Sequence, residues 1–285
     1  MYETRRLNDK KKVIVTVALT GAVTTKADNE HLPTQPEEIA ASALACYQAG
    51  ASAVHIHVRD DDDSASMRFD KFEEVVHLIR NSGCPIILNL TSSGGQGFNW
   101  DERIRPFQEL KPELASFDAG TMNWLNKVVF MNEPEFLERC GKEMIEAGVK
   151  PEIEVFDIGM LNTAKYYLSK GVLQEPAHFQ LCLGAPGGME ATTENLVYLV
   201  NHLPEKCTWS AFGIGKGANE IMLATLALGG NIRVGLEDNV YINAGQKAES
   251  NEQFVERVKR IVKELGREIA TPDEARMILG LQKQR

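Results

Sequence analysis

Residues 13–19 read Val13-Ile14-Val15-Thr16-Val17-Ala18-Leu19, the turn after them reads Thr20-Gly21-Ala22-Val23-Thr24-Thr25, and Thr34-Gln35-Pro36-Glu37-Glu38 then opens an amphipathic stretch ending at Ala49. The β-branched run predicts a buried strand. Thr34 as a capping side chain, an early proline and two acids in the first turn predict a helix start. This strand–turn–helix unit recurs along the chain. Further strands are expected at Ala53–Val58, Pro85–Leu90, Leu114–Asp118, Glu152–Phe156, His178–Leu183, Thr208–Gly213 and Ile232–Leu236. Helical patterns at Gln35–Ala49, Phe72–Asn81, Trp100–Gln108, Pro134–Ala147, Met160–Ser169, Thr193–Leu203 and Asn219–Leu228 separate them, and Asn251–Leu265 and Pro272–Leu279 follow the last strand. Thr271-Pro272-Asp273-Glu274 repeats the start signal. Eight strands alternating with helices, without a Pro/Gly/Ser-rich linker, predict an α/β fold: a single (β/α)8 TIM barrel over residues 1–285, with an additional C-terminal helix. A doubly wound sheet fits the strand count poorly, and the first turn lacks the GxGxxG of a dinucleotide-binding unit. Gly213-Ile214-Gly215 with Gly217 falls at a corner where barrels often bind phosphate, although a tight turn explains it equally well.

Composition narrows the function classes. With 43% hydrophobic and 25% charged residues the chain is that of a packed globular protein. Forty acidic against 31 basic residues, net charge −9, argue against a nucleic-acid partner, which needs clustered cations. The apolar runs are far below the roughly 18 residues of a membrane span. Met1 to Lys12 is charged and lacks a secretory pattern, so a cytoplasmic location is expected. Five widely spaced cysteines without a CxxC pair read as small buried hydrophobes.

The site of a barrel lies at the C-terminal ends of its strands. The second strand ends Val54-His55-Ile56-His57-Val58-Arg59-Asp60, and strand alternation puts His55 and His57 on one face, about 7 Å apart. Two interior imidazoles are half of a metal site; the alternative is a pair of core histidines bonded to backbone. The eighth strand ends Ile232-Arg233-Val234-Gly235-Leu236-Glu237-Asp238-Asn239, a density of polar groups that is costly at a barrel mouth unless they are paired or bind something. Alternation places Arg233 and Glu237 on one face, either as a structural ion pair or as part of a site. Glu237 is taken as the third ligand, which leaves a tetrahedral zinc with an open position and Asp238 free to act as a base. The third strand ends Thr91-Ser92-Ser93-Gly94-Gly95, whose exposed amides could hold a carboxylate or enolate oxygen. Ser116, Asp118 and Glu154 end the next two strands as site or scaffold. His178 starts a strand, at the stability end, and is left out of the site; His31, His77 and His202 read as surface or helix residues.

Seven stretches carry a family resemblance: Leu19-Thr20-Gly21-Ala22, His55-Ile56-His57-Val58-Arg59, Ser92-Ser93-Gly94-Gly95, Ala119-Gly120-Thr121, Leu183-Gly184-Ala185-Pro186-Gly187-Gly188-Met189, Arg233-Val234-Gly235-Leu236-Glu237-Asp238-Asn239 and Ala248-Glu249-Ser250-Asn251. In this order they resemble the zinc-dependent β-keto acid cleavage enzymes, nearly end to end. The resemblance implies a homotetrameric barrel binding Zn(2+) through His55, His57 and Glu237. It implies condensation of a β-keto acid with acetyl-CoA and cleavage of the adduct to acetoacetate and a new acyl-CoA. Asp238 would be the base, Arg233 would keep it ionised, and Ser92 with the amides of Ser93 to Gly95 would hold the substrate carboxylate near Ser116. Val23 stands where members acting on an amino substrate carry an acidic residue, so a keto acid without the 5-amino group is expected. Lys216 reads as a contact for the nucleotide or as a solvated loop residue. Rival readings are a zinc hydrolase of amidohydrolase type, which places HxH on the first strand, a metal-dependent aldolase, and a non-catalytic metabolite sensor.

Overall fold

A computed structural model describes residues 6–281. Eight parallel strands close into a barrel in chain order: β1 (Val15–Ala18), β2 (Ala53–Ile56), β3 (Ile87–Leu90), β4 (Leu114–Asp118), β5 (Lys150–Val155), β6 (Ala177–Leu183), β7 (Cys207–Gly213) and β8 (Asn231–Val234). The ring is sealed by Ile232 opposite Val15 and Arg233 opposite Thr16. Residues facing the helices, such as Val15, Val17, Val54, Leu88 and Ile232, are almost wholly buried, which is why these strands read as apolar runs rather than as alternation.

Around the barrel run α1 (Pro36–Ala49), α2 (Phe69–Asn81), α3 (Trp100–Leu110), α4 (Pro134–Ala147), α5 (Ile158–Ser169), α6 (Thr193–His202), α7 (Ala218–Ala227) and α8 (Asn251–Glu264). The additional helix, α9 (Pro272–Leu279), closes the floor: Ala275 and Leu279 pack with Ile14, Ala53, Ile87 and Leu114, at the N-terminal ends of the strands. Its start is as expected, with Thr271 Oγ1 accepting from the Glu274 amide and Glu274 from the Thr271 amide. The start of α1 differs. The cap is Gln35, not Thr34, and Glu38 accepts from both their amides.

Several strand limits also differ by one or two residues, and two of them have identifiable reasons. Val13 is not in the barrel; Lys12–Val13 pairs in parallel with Glu268–Ile269 beneath it. The eighth strand stops at Val234 rather than Leu236, because Gly235 adopts φ +139° and a Cβ there would lie 2.1 Å from the Ala18 carbonyl oxygen. Only glycine tolerates both conditions, and the chain turns inward at this point.

At the mouth, three short antiparallel hairpins were not anticipated: Val58–Arg59 with Ala65–Ser66, Met122–Trp124 with Val128–Phe130, and Tyr241–Asn243 with Gln246–Lys247. Among the described residues no helix is long and apolar enough to cross a membrane.

Candidate active site

A cavity of about 480 Å³ opens at the C-terminal ends of the strands. His55 comes from β2, and His57 from the residue linking it to the first hairpin. Their ring centroids are 5.0 Å apart. Glu237 arrives from the other side of the seam, and its Oε1 lies 3.8 Å from His55 Nε2 and 3.6 Å from His57 Nε2. Strand alternation does not bring it there, since β8 has already ended. The turn does, with the amides of Asp238 and Asn239 donating to the Gly235 carbonyl. Gly21 makes room: it has φ +66°, and a Cβ would sit 2.5 Å from Glu237 Cγ.

Arg233 is the hub of the carboxylates. Its Nε donates to Asp238 Oδ2 at 3.0 Å, its Nη2 to Asp238 Oδ1 at 2.9 Å and Glu237 Oε1 at 2.5 Å, and its Nη1 to Glu154 Oε1 at 3.1 Å. The guanidinium also lies 4.5 Å from the centre of the Phe212 ring. Asp118 neighbours Glu154 across the β4–β5 pair. Burial pushes Asp118 and Asp238 up to about 6, in each case against the pull of a nearby arginine, and holds Glu154 well above the ordinary carboxylate range. Burial, aided by the charge of Arg233, keeps both histidines well below their usual value and therefore neutral.

Four carboxylates and a single guanidinium thus line the cavity. Three of the four are already bonded to that guanidinium, so the chain's own groups leave the mouth short of positive charge. Two neutral imidazoles and a carboxylate whose ligand atoms lie within 4.8 Å of one another form a donor set suited to a divalent cation. An unsatisfied atom fits it too: Glu237 Oε2 is buried without a hydrogen-bond partner among the described residues, and both histidines turn Nε2 toward Glu237.

The other expected residues divide. Ser93, Gly95, Ser116 and Val23 line the cavity, whereas Ser92 and Gly94 do not. The Ser92 amide donates to Ser116 Oγ and its carbonyl accepts from Arg103, so Ser92 acts as a brace for the wall. Gly94 packs against Met67. Lys216 is exposed and off the cavity wall, and the amide of Gly215 in the same glycine turn is used by Asn239 Oδ1. Arg59 holds the turn carrying Val23 through the carbonyls of Gly21 and Thr24. Sequence reasoning missed the apolar wall formed by Trp124, Leu125, Val128 and Phe130, although the alternation in Met122-Asn123-Trp124 and the β-branched and aromatic Val128-Val129-Phe130 are strand signals either side of a short turn.

The family model for beta-keto acid cleavage enzymes matches residues 12–281. The chain belongs to that family. It is 44% identical over 273 residues to a 3-keto-5-aminohexanoate cleavage enzyme of Fusobacterium nucleatum, covering 96% of this chain and 99% of the relative. It is 38% identical over 298 residues to a 3-dehydrocarnitine:acetyl-CoA trimethylamine transferase of Rhizobium meliloti, covering 97% of this chain and 99% of that one. Among solved structures, the apo form of ObcA superposes with a TM-score of 0.77 at 21% identity, over 88% of this chain and 66% of ObcA, which supports the barrel fold. The Rhizobium meliloti relative and a 3-oxoadipate:acetyl-CoA acetyltransferase of Cupriavidus necator, 35% identical over 271 residues, are both named as transferases that use a keto acid and acetyl-CoA.

Proposed function

We propose that the chain condenses a β-keto acid with acetyl-CoA and cleaves the adduct to acetoacetate and a new acyl-CoA. The observation that carries this reading is the convergence of a three-residue cation site and a clamped carboxylate in one cavity. His55, His57 and Glu237 would hold the cation, zinc in our reading. When bound, it supplies a Lewis acid for the keto-acid oxygen on which negative charge develops.

Asp238 is the base that removes a proton from the carbon between carboxylate and ketone. Its raised pKa makes it a better acceptor than an ordinary aspartate, and the paired bonds from Arg233 fix both of its oxygens. The carbanion then attacks the thioester carbonyl and CoA leaves as thiolate. The thiolate adds to the former ketone, and the carbon–carbon bond to the central carbon breaks. That carbon recovers the proton from Asp238 and departs as acetoacetate, while the former keto carbonyl becomes the acyl-CoA. The amides near Ser93 and Gly95 and the Ser116 hydroxyl would receive the substrate carboxylate, with Ser92 bracing them.

The tail pocket is apolar. Val23, Trp124, Leu125 and Val128 line it, and none carries an anionic group to pair with an ammonium. The substrate is accordingly a β-keto acid without an amino group on its tail. Incubation of the zinc-loaded protein with acetyl-CoA and a panel of β-keto acids should give acetoacetate and new thioesters, fastest with uncharged tails. CoA-independent hydrolysis of amides or lactones with no acetoacetate from any keto acid would reject the proposal.

A further inference from the structure

Beneath the cavity a buried polar row crosses the barrel. His55 on β2 is the register partner of Asn89 on β3. Asn89 Nδ2 donates to Glu152 Oε2 at 2.5 Å, and Glu152 on β5 is the register partner of His178 on β6. Glu152 Oε1 lies 3.6 Å from His178 Nε2, whose other nitrogen, Nδ1, is 2.8 Å from Thr208 Oγ1 on β7. Asn89 and Glu152 have no solvent exposure at all. Neither touches the cavity, and the reaction proposed above uses neither.

The row leaves three buried atoms without partners among the described residues, Glu152 Oε1, Asn89 Oδ1 and His55 Nδ1, and the last two complement each other. The carboxylate of Glu152 dictates the orientation of the Asn89 amide, because only its NH2 can donate to a carboxylate. Asn89 Oδ1 is then the free end, and it has no donor among the described residues. His55 Nδ1, on the neighbouring strand, has no acceptor. The opposite nitrogen of that ring, Nε2, is the one that faces Glu237.

We infer that Asn89, oriented by Glu152, is a positioning residue that accepts the Nδ1 proton of His55 and so leaves the Nε2 lone pair directed at the cation site. A neutral imidazole carries one proton, and the partner of one nitrogen decides which nitrogen is free to ligate. The inference rests on the reading of His55, His57 and Glu237 as cation ligands. It also gives His178 a part at the far side of Glu152, where its position at the start of a strand suggested only scaffolding.

The test uses zinc as probe. The protein, stripped with a chelator, is titrated with zinc in competition with a chromophoric chelator. Asn89→Leu should weaken zinc binding about 10- to 100-fold, as loss of such a supporting partner does. Glu152→Gln, which can still accept from Asn89, should lose less. Nitrogen-15 histidine spectra of the unaltered, zinc-loaded protein provide a measurement independent of any variant's folding, and should show His55 protonated at Nδ1 and metallated at Nε2. Unchanged affinity in a folded Asn89→Leu protein, or a His55 ligating through Nδ1, would overturn the inference while leaving the cation site standing. An unaltered protein that takes up no zinc would sink the cation site and this inference together.

Discussion

Two buried arginines, at opposite ends of the same barrel, sit in opposite electrostatic situations. On the floor, Arg276 Nε and Nη2 donate to Glu113 Oε1 at 3.0 and 2.6 Å, Nη2 also reaches the Pro85 carbonyl, and Nη1 reaches Asp273. The remaining Glu113 oxygen accepts from the Leu88 amide. Every group there has a partner. At the mouth, Arg233 faces Asp238, Glu237 and Glu154 together, and Glu237 Oε2 and Asp118 Oδ2 remain unsatisfied among the described residues. A balanced, satisfied cluster is what a scaffold needs. An overcharged one is costly in isolation and marks a place where ligands complete the bonding.

The sharpest way to break this contrast is to remove function without touching stability, and then the reverse. Asp238→Asn keeps the shape and one acceptor for Arg233 but cannot take a proton. It should lower kcat about 10²- to 10⁴-fold, with zinc content and the thermal midpoint retained. If turnover survived in that variant, Asp238 would not be the base. Arg276→Ala should do the opposite. It leaves Glu113 buried without its cation, at a cost of about 3–5 kcal/mol in unfolding free energy, and kcat per folded molecule should not change. A floor variant that lost activity while remaining folded would show that the two ends are coupled, against the division drawn here.

The division was partly legible in the sequence. The barrel was legible because the strands are buried on their helix-facing side and read as short apolar runs between turn and helix signals, most clearly the β-branched run from Val13 to Leu19. The donor set was legible because His55 and His57 lie two residues apart at a strand end. The path of Glu237 was not, since periodicity expected a strand to Leu236 and the structure breaks it at Gly235, where contact with the Ala18 carbonyl overrides strand propensity. The surroundings of Ser92 were not legible, because a turn's sequence does not say which of its groups face inward; its amide is bonded to Ser116 and its hydroxyl is buried without a partner among the described residues. The partners of Arg233 were only partly legible, for a similar reason. Its charge is consumed by three carboxylates, one of which, Glu154, comes from a strand 79 residues away in sequence.

Val23 tests the rim of the overcharged region, where effects are smaller. It is 52% exposed, so an ion pair formed there is screened by solvent. Val23→Glu should improve kcat/KM for a β-keto acid with an ammonium on its tail by about two- to fivefold, the size of an exposed pair, and reduce it for an aliphatic tail. Competition between the two substrates, read by the acyl-CoA products, measures the ratio directly. No change in that ratio would remove Val23 from the tail pocket.

A further test concerns the floor and its pH response. Lys150 Nζ donates to the carbonyls of Pro176 and Leu279, and burial lowers its pKa to about 8. Free lysine titrates near 10.5, so between these values the unfolded chain binds a proton that the folded chain has released. Stability linked to this group therefore rises as pH increases from about 8 to about 10.5, and is lost as pH falls back through 8. Lys150→Met has no proton to release, so its stability relative to the unaltered protein should decline across that window and be constant below it. Urea midpoints of the two proteins at pH 7, 8.5 and 10 provide the comparison; parallel curves would mean that the ammonium is as well solvated in the fold as outside it, and that the two carbonyls replace water fully.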